Sequence, residues 1–248
     1  MEWVDDGVVI GLRLHGETGV VVELLTRRHG RHSGFVHGGR SRRQRPVLQP
    51  GNDVRASWKA RQEDQLGTLV VEGLELRAAR IMESALALHG TNLICALARL
   101  LPEREPQPVL HAVVTALLDS FAERDASGER DSTPAALARF ELALLGELGF
   151  GLDLARCALT GTAEDLAFVS PKTGRAVSRV AGMPYRDRIL PLPGFMLAEA
   201  LIPATPADLA AGFRLTGHFL TRNVFAPRGL VVPDCRRAYL RALQLPPA

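Results

Sequence analysis

The apolar residues of this chain change period once, near residue 80, and that single change sets what it can fold into. Before it, the pattern is that of strands. Val8, Val9, Ile10, Leu12 and Leu14 form one run and Val20 to Leu25 another, with the turn-like stretch His15-Gly16-Glu17-Thr18-Gly19 between them. Gly34 to His37 is a short third strand closed by Gly38-Gly39, and Asp53 to Arg61 alternates strictly, with Val54, Ala56, Trp58 and Ala60 on one face. Leu66 to Leu76 makes a fifth strand, with Gly73 expected at a bulge. Five strands with no helical stretch between them predict a small closed barrel. The leading candidate is the OB-fold, whose curved face and flanking loops bind oligonucleotides.

Beyond Glu83 the spacing is helical. Residues 83 to 101 predict one helix, buried along Leu86, Leu93, Leu97 and Leu100 and ended by Pro102; a second runs from about Pro108 to Glu123. Thr133-Pro134 reads as an N-cap followed by proline at the first helical position, with Leu137, Phe140, Leu144, Leu145 and Leu148 on one face of the helix that follows. Thr205-Pro206 repeats the device ahead of Leu209, Phe213, Leu220 and Val224, and a last helix covers about Pro233 to Leu243. The expected class is α+β with two domains: a five-stranded OB-fold β-barrel over residues 1–80, then a helix-rich domain over 81–248. Neither internal repeats nor a low-complexity linker interrupts them.

Charge points to the partner. Arg27, Arg28, Arg31, Arg40, Arg42, Arg43 and Arg45 fall in one stretch without a single Asp or Glu, although the whole chain balances 30 basic against 27 acidic residues. Arginines on strands and loops of a barrel can contact phosphates and release counterions, and Lys59 and Arg61 extend the positive face. The Gly-flanked loop Arg40-Ser41-Arg42-Arg43-Gln44-Arg45 is the best single element, because it can fit itself to a flexible strand. Only Lys59 and Lys172 among the 30 basic residues are lysines, so a GC-rich genome accounts for some arginines. It does not account for the missing acids. Phe35, His37 and Trp58 are candidate stacking surfaces, but the alternation turns Trp58 toward the core.

Other constellations are weaker. His29, His32 and His37 have ligand-like spacing, yet no carboxylate or cysteine lies between them and the surrounding arginines repel a cation. Cys157-Ala-Leu-Thr160-Gly161 followed by Phe168 to Val177 has the outline of a zinc ribbon, a knuckle and then a hairpin over 157–180. It keeps one cysteine of the four that zinc needs, which argues against the metal and for no cofactor at all. Leu159, Leu166, Phe168 and Val177 are then expected to pack in its place. Three scattered cysteines, Cys95, Cys157 and Cys235, fit a reducing compartment. The acidic start and the lack of a long apolar run predict neither a secretory signal nor a membrane span. No phosphate loop, nucleophile elbow or zinc-protease helix is present, so a non-enzyme is expected. Ser170 and Lys172 read as a Pro-Lys-Thr-Gly turn, and Asp119 and Glu123, one helical turn apart, as surface charges. Arg236, Arg237 and Arg241 are either a second contact or a charge set at a helix C-terminus.

At this point the chain resembles the RecO family of bacterial recombination mediators over essentially its whole length. The resemblance is carried by His15-Gly16-Glu17, by Leu25-Thr26 with Gly30, by Gly38-Gly39-Arg40-Ser41 and by Leu48-Gln49-Pro50-Gly51. Most specific are Phe140-Glu141-Leu142 to Leu145, then Leu148-Gly149-Phe150-Gly151-Leu152-Asp153-Leu154 with Cys157, and Ser170-Pro171-Lys172-Thr173-Gly174-Arg175. It implies an N-terminal OB-fold, a helical C-terminal domain, and a role in recombinational DNA repair in the cytoplasm, at the nucleoid during repair. It further implies binding of single- and double-stranded DNA, annealing of complementary strands, and help from RecR in loading RecA where single-stranded DNA-binding protein covers the DNA. That protein's C-terminal tail is an implied partner. Some members hold zinc through four cysteines; this chain departs there, with Thr160 where the first pair would be completed. The competing expectation is an RNA-binding OB-fold factor in translation or RNA processing. A third, a nuclease with an unrecognised carboxylate site, would centre on Asp119 or Glu123.

Overall fold

The computed structural model describes residues 1–62, 64–123, 132–197 and 203–246. Two compact units share the chain, Met1–Arg124 and Asp125–Ala248.

In the first unit, β1 (Glu2–His15), β2 (Gly19–Thr26), β3 (Gly30–Val36), β4 (Asp53–Lys59) and β5 (Thr68–Glu75) close a barrel in the order β1-β2-β3-β5-β4. All neighbours run antiparallel except β3 and β5, which meet in parallel at Phe35 and Thr68 and shut the barrel. Closure leaves the sheet no free edge. The interior holds Val54, Ala56 and Trp58 of the alternating face expected for β4, with Ala60 only partly buried, together with Val9, Val20, Val22, Leu24, Val36, Leu48, Leu69 and Val71. Asp53 pairs with Glu75 but Val54 with Gly73, so Leu74 is the extra residue of a bulge beside the glycine expected to mark it. β1 begins earlier than its apolar run. Glu2 to Val8 pair with β4, and the polar residues Asp5 and Asp6 hide this half of the strand from a reading based on alternation.

The barrel ends at Glu75, close to the boundary expected at residue 80, yet three helices belong to the same compact unit. They are α1 (Ala78–Ile81), α2 (Ala85–Ala98) and α3 (Pro108–Ala122). Ser84 caps α2, its hydroxyl accepting from the Ala87 N–H at 3.4 Å. Arg77 fastens helix to barrel. Its buried guanidinium donates to Asp119 on α3 at 2.6 Å, to Asp53 on β4 at 2.8 Å and to the Gly51 carbonyl at 3.3 Å. Asp119, read as a surface charge, is therefore one end of a structural ion pair.

The second unit holds α4 (Thr133–Glu147), a small sheet of β6 (Leu166–Val169), β7 (Ala176–Ser178) and β8 (Leu190–Pro191), the short α5 (Arg179–Gly182), and α6 (Pro206–Phe219) and α7 (Asp234–Ala242). The expected N-cap at Thr205 is present as a full capping box with Asp208. At α4 the helix starts one residue earlier than expected: Ser132 is the cap position, Thr133 the first helical residue and Pro134 the second. After Phe219 the chain widens into a π-type turn over Leu220–Phe225, which carries the apolar face on to Val224. The core is fixed by a buried ion pair. Arg236 of α7 donates to both oxygens of Glu141 on α4, at 2.8 and 3.0 Å, and to the Phe213 carbonyl at 2.6 Å, and Thr216 donates to the same carboxylate. Arg236 is neither a surface contact nor a helix-end charge; it is 2 % exposed.

The ribbon-like hairpin is β6 and β7. Ser170 to Gly174 make its turn, with Gly174 at φ +70° and its N–H donating to Ser170. Leu166 and Val177 are buried as expected and Phe168 is half-buried, but Leu159 is 61 % exposed. Val169, Ala176 and Cys157 take the place foreseen for it. The Cys157 sulfur accepts the Ser178 N–H at 3.2 Å. Burial pushes its thiol up, but hydrogen bonds from Ser178, Thr160 and Leu159 outweigh that and bring it down to about 6.

Candidate nucleic-acid interface

The outward face of β1–β3 is the barrel's candidate binding surface. Strand register brings Arg13, Val21 and Phe35 side by side, with Glu23 opposite Ser33 one step further down. The chain after α2 borders this face. Arg31 bridges to Glu103, the Arg104 N–H donates to the Arg31 carbonyl at 2.8 Å, and the Arg31 side chain donates to the Leu101 carbonyl at 2.7 Å. Gly30 shows how close that approach is: at φ +64°, a Cβ there would stand 2.0 Å from the Glu105 carbonyl oxygen. Between face and border lies a cavity of about 420 Å³, lined by Arg13, Arg31, Arg99 and Arg104 and by the carboxylates Glu23, Glu103 and Asp64.

The sequence-predicted residues meet three different surroundings. Arg28 and Arg31 are paired. Asp5, 5 % exposed, accepts the Arg28 N–H at 2.7 Å, the Arg28 side chain at 3.1 Å and the His29 ring at 3.0 Å, while Arg31 reaches Glu23 at 3.4 Å and Glu103 at 3.2 Å. Burial alone would raise the Asp5 carboxyl; these hydrogen bonds hold it below its ordinary value. Lys59 lies 3.5 Å from Glu2 across β4 and β1. Arg40 is exposed and donates to the Glu17 carbonyl in the β1–β2 turn at 2.6 Å, which ties the basic loop to that end of the barrel. Arg27, Arg42, Arg43, Arg45 and Arg61 are exposed, and among the described residues none forms an ion pair. Two of the seven arginines in the stretch without acids are thus met by carboxylates in space, from β1, β2 and the chain after α2.

The aromatic candidates separate in the same way. Trp58 is 1 % exposed and donates to the Leu66 carbonyl at 3.0 Å, so it packs in the core. Phe35 is half-buried against His15 and His37 at the Arg40 end of the face, edge-on to both, and remains available for stacking. The three histidines do not converge. His29 holds Asp5, His37 faces Phe35, and His32 is buried between Trp3 and Trp58. No group of three potential metal ligands forms among the described residues.

Sequence reasoning missed Arg13, Arg99, Arg104 and Trp3. Arg13 was legible, since it alternates with Leu12 and Leu14 along β1. Arg99 caps the end of α2 and Arg104 lies in the turn beyond it, where the return of the chain to the barrel has no local signal, and Arg104 holds a left-handed φ of 63° that no pattern announces. No helix among the described residues is long and apolar enough to cross a membrane.

Residues 1–77 match the model of the family described as Recombination protein O N terminal, and residues 82–229 that of Recombination protein O C terminal. A protein named DNA repair protein RecO from Mesorhizobium japonicum is 50% identical over 244 residues, covering 98% of this chain and 94% of its own length. Proteins of the same name from Methylocella silvestris and Beijerinckia indica are each 53% identical, over 243 and 241 residues; both alignments cover 97% of this chain, with 95% and 94% of the respective relatives.

Proposed function

We propose the following for this chain, which belongs to the RecO family of DNA repair and recombination proteins: it is a non-enzymatic cytoplasmic mediator that binds DNA through its barrel and anneals complementary strands. The observation that carries the reading is the exposed loop Arg40 to Arg45, anchored to the β1–β2 turn of a closed barrel and free of carboxylate partners among the described residues. Annealing requires two like-charged strands to approach. A cationic surface lowers that repulsion without reading base identity, and no nucleotide hydrolysis is needed.

Handing DNA to RecA, with RecR, requires contact with the single-stranded DNA-binding protein that covers it. In the second unit a cleft of about 530 Å³ is lined by Phe225, Leu230, Val231 and Leu240 beside Arg237. An apolar groove with a cation at its border has the chemistry to accept a hydrophobic acidic tail. The hairpin over 157–180 works without zinc in this reading, since Leu166, Val169, Ala176 and Val177 already bury its centre.

Annealing of complementary oligonucleotides, with and without single-stranded DNA-binding protein, tests the proposal. Acceleration in both conditions is expected; no acceleration in either overturns it. Family membership sets aside the RNA-binding alternative, and a strong preference for RNA over single-stranded DNA of equal length would restore it.

A further inference from the structure

A second cavity, of about 410 Å³, opens at the other end of β3 from the arginine loop, lined by Trp3, Arg28, His29, His32, Trp58 and Arg104 among others. Arg104 also lines the first cavity, on the β1–β3 face, so the two are neighbours. Its walls are rings. Trp3 stacks on His29 at 4.4 Å and 9° and on Trp58 at 5.7 Å and 16°, and His32 stands edge-on to both tryptophans. His32 is 4 % exposed, and neither ring nitrogen has a hydrogen-bond partner among the described residues. A buried polar group in that state ordinarily has a water or a ligand to satisfy it.

The charge state says which ligand. Burial, then the nearby Arg104 and His29, pushes the His32 ring down to about 4. At neutral pH it carries no charge and holds one donor and one acceptor, both buried. That suits a neutral hydrogen-bonding edge and not a phosphate, while Arg28 and Arg104 at the rim suit the anion. We propose that this cavity takes one unstacked nucleobase of a single DNA strand, its edge toward His32, its face against the half-buried ring of Trp3, and its phosphate beside Arg104. The cavity would thereby distinguish single-stranded from duplex DNA, whose bases are already stacked. The inference rests on the DNA-binding reading given above.

The chain has two tryptophans, and both line this cavity, so intrinsic fluorescence reports on it directly. The full-length protein would be titrated with a 20-residue thymidine strand, with an abasic strand of equal length, and with a duplex, while anisotropy follows binding. Thymidine strands are expected to change the tryptophan emission; abasic strands and duplex are expected to bind without doing so. His32→Phe keeps an aromatic ring, a larger one, between Trp3 and Trp58 and removes both ring nitrogens. It should weaken thymidine-strand binding about fivefold and leave abasic binding unchanged. An equal emission change with the abasic strand, or none with a thymidine strand that binds, overturns the base site and leaves DNA binding standing. Failure of every strand to bind overturns the underlying reading and this one with it.

Discussion

Arg28 and Arg31, in the turn before β3 and on it, and the arginines of the loop that follows come from one basic stretch, yet they meet opposite surroundings. Arg28 and Arg31 lie opposite or beside strands, and strand pairing brings Asp5, Glu23 and Glu103 to them from distant parts of the chain. Arg42, Arg43 and Arg45 lie in a loop, and among the described residues they remain without carboxylates. Charge density along a sequence therefore predicts a field only where the chain does not pair. On a strand, the partner strand decides whether an arginine is a ligand for phosphate or a fastening for the fold. Arg236 carries the second case to its limit, since its guanidinium is buried on Glu141.

The largest effect should come from that limit. Glu141→Ala leaves Arg236 charged and buried with no carboxylate, a change of about 3–5 kcal/mol, read as a lower denaturation midpoint of the full chain. Replacing both residues by leucine and methionine should recover much of the loss, because no uncompensated charge remains. An Arg236→Ala protein as stable as wild type would break the distinction between fastening and ligand arginines.

Next in size is the acid response of the barrel end where Arg28 and His29 hold Asp5. His32 titrates at about 4 in the fold against 6.5 when unfolded. The unfolded chain thus takes up this proton first as pH falls. Stability from His32 is complete above pH 6.5 and is lost between 6.5 and about 4, by roughly 2–3 kcal/mol. Asp5, held below 3.8, keeps its contribution through that window and loses it at lower pH. Denaturation midpoints across pH 7 to 4 should fall for wild type and fall less for His32→Phe; parallel curves would remove His32 from the account.

Much of this is legible in the sequence, and what is hidden has a common cause. Alternation places Val54, Ala56 and Trp58 inward and Gly73 at a bulge, because a barrel interior imposes period two on every strand. It misses the first half of β1, where Asp5 occupies an inward-turned position that it can hold only because Arg28 and His29 satisfy it. It misses Arg99 and Arg104 because the site is completed by chain returning from a helix, which no local spacing records. Residue type alone puts Leu159 in the hairpin core, and the structure gives that place to Val169 and Ala176.

The smallest effects on stability should be the most informative about binding. Arg31→Ala removes the donors to Leu101, Glu23 and Glu103 and should cost about 1.5–3 kcal/mol. Its contribution to the salt dependence of single-strand binding should be small, since its charge is already met. Changing Arg40, Arg42, Arg43 and Arg45 together to alanine should do the reverse. The denaturation midpoint should stay where it is, and the slope of log affinity against log salt should fall by up to about 3, near 0.7 for each phosphate no longer held. Affinity should fall for all sequences alike, because arginines on phosphates carry no sequence information. Unchanged affinity at low salt would move the DNA off the loop and onto the paired face, where a phosphate would have to displace Glu23 or Glu103 to reach Arg31.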